Sequence, residues 1–111
     1  MTRPGPAFSS PAARIYLATT AVDGRKSFDT LCEQVRTALG CDPLSGDLFV
    51  FHNRHGDRVK ILFWDANGLV LYTKRLEQGR FRFPGADQVS ITLTAAELMT
   101  LLAAGGAERG A

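Results

Sequence analysis

The stretch Arg58-Val59-Lys60-Ile61-Leu62-Phe63-Trp64-Asp65-Ala66-Asn67-Gly68-Leu69-Val70-Leu71-Tyr72-Thr73-Lys74-Arg75-Leu76 decides the fold. From Arg58 to Trp64 the side chains alternate, with Val59, Ile61 and Phe63 on one face, as in a strand with a buried side. Leu69 to Leu76 is a second apolar run. Between them stands Asn67-Gly68, two residues that tolerate the positive φ of a tight hairpin turn. A two-residue turn there sets Trp64 opposite Leu71, Leu62 opposite Thr73 and Lys60 opposite Arg75. One face then carries Arg58, Lys60, Leu62, Trp64, Leu71, Thr73 and Arg75. The other carries Val59, Ile61, Phe63, Val70 and Tyr72, which suits a core. Facing cations at Lys60 and Arg75 repel unless they splay into water or hold an anion between them.

Working outward, Leu48 to His52 reads as the preceding strand and Asn53 to Asp57 as the turn between the two. Further upstream, Ile15 to Ala21 reads as a first strand and Asp23-Gly24 as a turn. Ser27 stands at the N-cap of a helix whose apolar stripe is Phe28, Leu31, Cys32, Val35, Ala38 and Leu39. Asp29 favours its first turn and Gly40 ends it. Downstream, Gln88 to Thr92 reads as a short strand. Thr94-Ala95-Ala96-Glu97 is a capping box opening a last helix through Ala104, with Leu98, Leu101 and Leu102 turned inward. The order β-α-β-β-β-(β)-α predicts an α+β protein, an antiparallel β-meander of four or five strands with two helices packed on one face. Residues 14–104 make the expected single domain, between a disordered leader at 1–13 and a flexible tail at 105–111.

The chain has 111 residues, 45% hydrophobic and 22% charged, a composition that excludes wholesale disorder. Its net charge is only +2, but the distribution is uneven. Between His52 and Phe83 stand seven cations (Arg54, Arg58, Lys60, Lys74, Arg75, Arg80 and Arg82) against the three acids Asp57, Asp65 and Glu77. That segment therefore carries +4 and the remainder −2. Such a concentration either attracts an anionic partner, nucleic acid being the commonest, or is a solvated face. Arg80-Phe81-Arg82-Phe83-Pro84 alternates cations with rings. It fits a single-strand binding surface, with Trp64 and Phe83 as stacking platforms, or an edge with both phenylalanines buried. Arg25 and Lys26 beside the first helix are secondary candidates for the same partner.

Catalytic chemistry is not indicated. His52 and His55 lack a third ligand and sit among arginines, so no metal is expected. Asp57 and Asp65 mark opposite ends of one strand, too far apart for paired acid–base work. No triad surrounds a serine or cysteine, and no phosphate-cradling glycine loop is present. Cys32 and Cys41 match no zinc or redox spacing, and Cys32 reads as a small buried group. No cofactor is expected. Nor does any run approach the roughly 20 apolar residues of a membrane span, so a cytoplasmic location is expected.

The segments Asp47–Phe51, Asn53–Asp65 and Tyr72–Phe81, closing at Pro84, together with Asp23–Leu31 upstream, resemble the transposition accessory proteins called TnpB of insertion-sequence family 66. The resemblance covers about residues 15–103. Gly24 stands where that family often has a bulky residue, and Ser27 where it often has glycine. The resemblance implies a bacterial protein encoded beside a separate large transposase and needed for efficient transposition. Two partners follow as expectations: DNA, held by the basic hairpin, or the element's transposase, for which the chain would be a non-catalytic adaptor.

Overall fold

The computed structural model describes residues 13–104. The leader expected at 1–13, apart from Ala13, and the tail expected at 105–111 lie outside them. In chain order the elements are β1 (Ile15–Ala18), α1 (Phe28–Thr37), β2 (Leu48–His52), β3 (Arg58–Asp65), β4 (Gly68–Arg75), β5 (Ser90–Leu93) and α2 (Ala95–Ala104). The strands form one sheet in the order β4-β3-β2-β1-β5, an α+β architecture with the expected elements in the expected order.

Two features differ from the sequence reading. The sheet is mixed: β1 and β2 run parallel, Ile15 beside Leu48, while the other three pairings are antiparallel. Parallel neighbours need a crossover, and α1 supplies it. The helices also do not share a face. Leu31, Cys32 and Val35 of α1 pack on Ala18, Phe49, Phe51 and Leu62. Leu98 and Leu102 of α2 pack on the opposite set, Ile15, Leu17, Leu48, Val50, Val59 and Ile61. The cause lies in β2, where Leu48, Phe49, Val50 and Phe51 are all buried. A strand apolar on both sides needs a cover on each, since each fully buried large side chain is worth about 2 kcal/mol.

Both helix starts are legible locally. Thr94 and Glu97 form the reciprocal capping box, Thr94 N–H donating to Glu97 Oε1 (2.7 Å) and Glu97 N–H to Thr94 Oγ1 (3.0 Å). Ser27 occupies the N-cap of α1, but its side chain makes no capping bond. Phe28, expected in the apolar stripe, is exposed.

The hairpin bends one step earlier than expected. Asp65 pairs with Gly68, so the two-residue connection is Ala66-Asn67, and Gly68 belongs to β4. Ala66 takes the positive φ (58°), and Asn67 N–H donates to the Asp65 carbonyl at 2.6 Å. The register moves by two residues: Arg58 lies opposite Arg75, Lys60 opposite Thr73, Leu62 opposite Leu71 and Trp64 opposite Leu69. A shift of two leaves every side chain on its expected face.

The bend gives a pair of opposite expectations. Ala66→Gly relieves the left-handed strain and stabilises the fold by up to about 1 kcal/mol in urea titration. Gly68→Ala, at a position with ordinary φ and open space, changes stability by no more than about 0.5 kcal/mol. A loss above about 1 kcal/mol for Gly68→Ala places the bend at Asn67-Gly68 instead.

Candidate nucleic-acid interface

Three connections meet at the open end of the β3–β4 hairpin: the β1–α1 loop, the β2–β3 turn and the chain leaving β4. Asn53 holds them. Its Nδ2 donates to Asp57 Oδ1 (2.8 Å), and its Oδ1 accepts from the backbone N–H of Gly56 (3.0 Å) and Arg58 (3.1 Å). Val22 pairs with Asn53 in a parallel bridge, and Val22 N–H donates to the His52 carbonyl (2.9 Å). From the other side, Leu76 N–H donates to the Asp57 carbonyl and Phe81 N–H to the Gly56 carbonyl, each at 2.8 Å. The Asn53 bond is the main cause holding the Asp57 carboxyl below its ordinary range.

Around this knot lie most of the cations. Arg58 Nη1 donates to the Gly24 carbonyl (3.1 Å), and Lys60 Nζ donates to the Lys26 carbonyl. Both side chains thus reach from the sheet to the β1–α1 loop that carries Arg25 and Lys26. A Cβ at Gly24 would come within 3.2 Å of Arg58 Nη1. The atom met is the end of a flexible side chain, so a bulkier residue there displaces the guanidinium rather than the backbone. Burial pushes the Lys60 ammonium below its ordinary pKa, and Arg58 adds to the effect. Arg75 is exposed across from Arg58 on the same face, Arg54 is exposed at the turn, and Arg80 lies along Gly56.

Among the described residues none of Arg54, Arg58, Lys60, Arg75 and Arg80 forms an ion pair with a carboxylate, whereas Arg25 pairs with Asp23 (2.8 Å) and Arg36 with Glu33 (3.8 Å). The Arg25 pairing holds the exposed Asp23 carboxyl well below its usual range. Ala21 to Gly24 and Asn53 to His55 line an open cleft of about 370 Å³ between the two loops.

The remaining candidates lie elsewhere. Lys74 is on the other sheet face, where its Nζ donates to the Leu102 carbonyl (3.1 Å) near the end of α2. Trp64 is half-buried at the closed end of the hairpin, six residues and therefore about 20 Å along the strand from Arg58. Phe81 is buried in the α2-side core. Phe83 is half-buried and stacks on His52, with ring centroids 4.2 Å apart and planes at 19°. One of its faces is thus already taken, and Arg80 and Arg82 point outward. No group of three or more metal-binding side chains occurs among the described residues. Sequence reasoning passed over Asn53, Gly24 and His55 as parts of this end. The spacing Asn53-x-x-Gly56-Asp57 was the available signal, since Asn side chains commonly bond their own turn.

Fold and site together define a small mixed-sheet α+β protein with a cationic loop end. A family described as IS66 Orf2 like protein matches residues 13–109, and the chain belongs to that family, whose role is accessory to transposition. Two relatives come from Sinorhizobium fredii (strain NBRC 101917 / NGR234). The uncharacterized protein y4hO is 39% identical over 94 residues, 85% of this chain and 82% of that protein. The uncharacterized protein y4jC is 38% identical over 94 residues, 85% of this chain and 80% of that protein. No solved structure matches the chain. No helix of the described residues is long and apolar enough to cross a membrane.

Asn53→Ala removes three side-chain hydrogen bonds and costs about 2 kcal/mol in thermal or urea unfolding. Because the folded Asp57 titrates below its unfolded value, its charge adds stability above the unfolded pKa, and that stability is lost as pH falls through the folded one. In Asn53→Ala the Asp57 carboxyl, followed by NMR, moves back up toward its ordinary value; an unmoved Asp57 contradicts the Asn53 bond as the cause.

Proposed function

We propose that this chain serves transposition by holding DNA at its loop end, with Arg54, Arg58, Lys60, Arg75 and Arg80 gripping phosphates and Arg25 and Lys26 beside them. The observation that carries the reading is that these five cations, on two loops and two strands at one end of the sheet, form no ion pair among the described residues, beside a cleft that Arg54 and Asp23 line. An incoming phosphate offsets both the like-charge pairing of Arg58 with Arg75 and the desolvation that disfavours the Lys60 charge. Arg82, exposed on the same departing segment, adds to this positive field.

The second reading, an adaptor docking on the element's transposase, draws on the same cations. Protein interfaces centre on buried aromatic or aliphatic anchors. Here Trp64 lies about 20 Å from the loop end and Phe83 is committed to His52, so the geometry favours phosphate over a protein surface. Trp64 thus stands apart from a stacking role at this end, whereas Phe83 keeps one ring face not taken by His52.

Fluorescence anisotropy with labelled duplex and single-stranded DNA tests the reading. Affinity falls with salt, with a log–log slope of about −3 to −5 for four or five phosphate contacts. Arg54→Ala and Arg75→Ala each reduce that slope by about 1, whereas Lys74→Ala leaves it unchanged. Absent binding at low ionic strength, or salt-independent binding, contradicts it.

A further inference from the structure

The two sheet edges are unlike. On one side β5 has four residues, short enough to resist pairing with another chain. On the other, β4 has eight, and among the described residues its only strand partner is β3. It contains no proline, and its first six residues, Gly68 to Thr73, carry no charge. Val70 is 37% exposed, and Leu69, Leu71 and Tyr72 are half-buried beside the open edge. Natural edges are usually blunted by charge, proline, a bulge or a covering element. This one carries cations at a single end, Lys74 and Arg75.

We propose that β4 pairs antiparallel with β4 of a second copy of this chain, joining two sheets into one of ten strands. A two-fold axis perpendicular to the sheet keeps each face continuous, so only residues of one face can lie opposite each other. Two central registers satisfy this. Centred on Leu71, the pairs are Leu71 with Leu71, Leu69 with Thr73, Val70 with Tyr72 and Gly68 with Lys74. Centred on Tyr72, Lys74 falls against Val70 and Arg75 against Leu69. The first register joins apolar side chains and is the one assigned.

Charge selects the same partner and direction. In the Leu71-centred register, Lys74 faces Gly68 of the second copy, whose neighbour on β3 is Asp65. Glycine has no side chain to intervene, so ammonium and carboxylate lie in one row on one face, two strand spacings or roughly 10 Å apart at the backbone. Lys74 gives one of its three N–H donors to the Leu102 carbonyl, which leaves two for this row. A parallel partner would set cation on cation. The pairing is independent of the DNA reading, since it uses the outer edge of the hairpin and not the loop end.

Sedimentation equilibrium on the full chain reads the assembly. The expected result is twice the monomer mass, with association at least about tenfold weaker for Val70→Lys, a charge on the exposed edge that leaves the core untouched. In a Cys41→Ser background, Leu71→Cys crosslinks to a covalent dimer on mild oxidation. Tyr72→Cys does not, because its copies would lie roughly 8 Å apart, beyond disulfide reach. A monomer at every concentration, an undiminished dimer in Val70→Lys, or crosslinking through position 72 rather than 71 overturns the proposal.

Discussion

Four consecutive buried side chains, Leu48 to Phe51, leave β2 no polar side. That constraint organises the rest. A central strand apolar on both faces cannot sit in a two-layer structure with one side in water, so α1 and α2 must divide between the faces. Covering the first face between two neighbouring strands requires a crossover, which makes β1 and β2 parallel and sends the β1–α1 loop to the end of the sheet where β2 turns into β3. Covering the second face brings α2 across to Lys74.

The cationic end is a by-product of that arrangement. The same loop that leads into α1 takes hydrogen bonds from Arg58 and Lys60, so the basic side chains of β3 are tied to that loop. Asn53 fixes the β2–β3 turn against Asp57, and the chain after β4 is tied to the turn through the Asp57 and Gly56 carbonyls. Phe81 sinks into the core, and its neighbour Arg80 is left along Gly56 at the surface. Packing and charge are therefore coupled: burial of alternate residues orients the cations between them.

Much of this was legible in the sequence, and the rest failed for identifiable reasons. The order of elements, the Thr94–Glu97 capping box and the face assignment of the hairpin followed from period and local chemistry, which act over a few residues. The site of the bend did not. Asn67-Gly68 carries the stronger turn signal, yet the strand pairing of Arg58 through Asp65 with Gly68 through Arg75 put Ala66 in the strained conformation instead. Whether two helices share a face is a long-range matter, although the unbroken apolar run at Leu48 to Phe51 was the clue. The seven cations of residues 52–83 were visible as a cluster in the chain. That five of them gather at the loop end, while Lys74 joins α2 and Trp64 sits at the far end of the hairpin, depends on the parity and length of the strands.

The proposed DNA contact uses one end of the hairpin and not the other. An amide chemical-shift map during titration with a short DNA duplex measures this directly. The expected changes centre on Gly24, Lys26, Arg54, Gly56, Lys60 and Arg75. Changes centred on Trp64, Ala66 and Asn67, with the loop end silent, would contradict it.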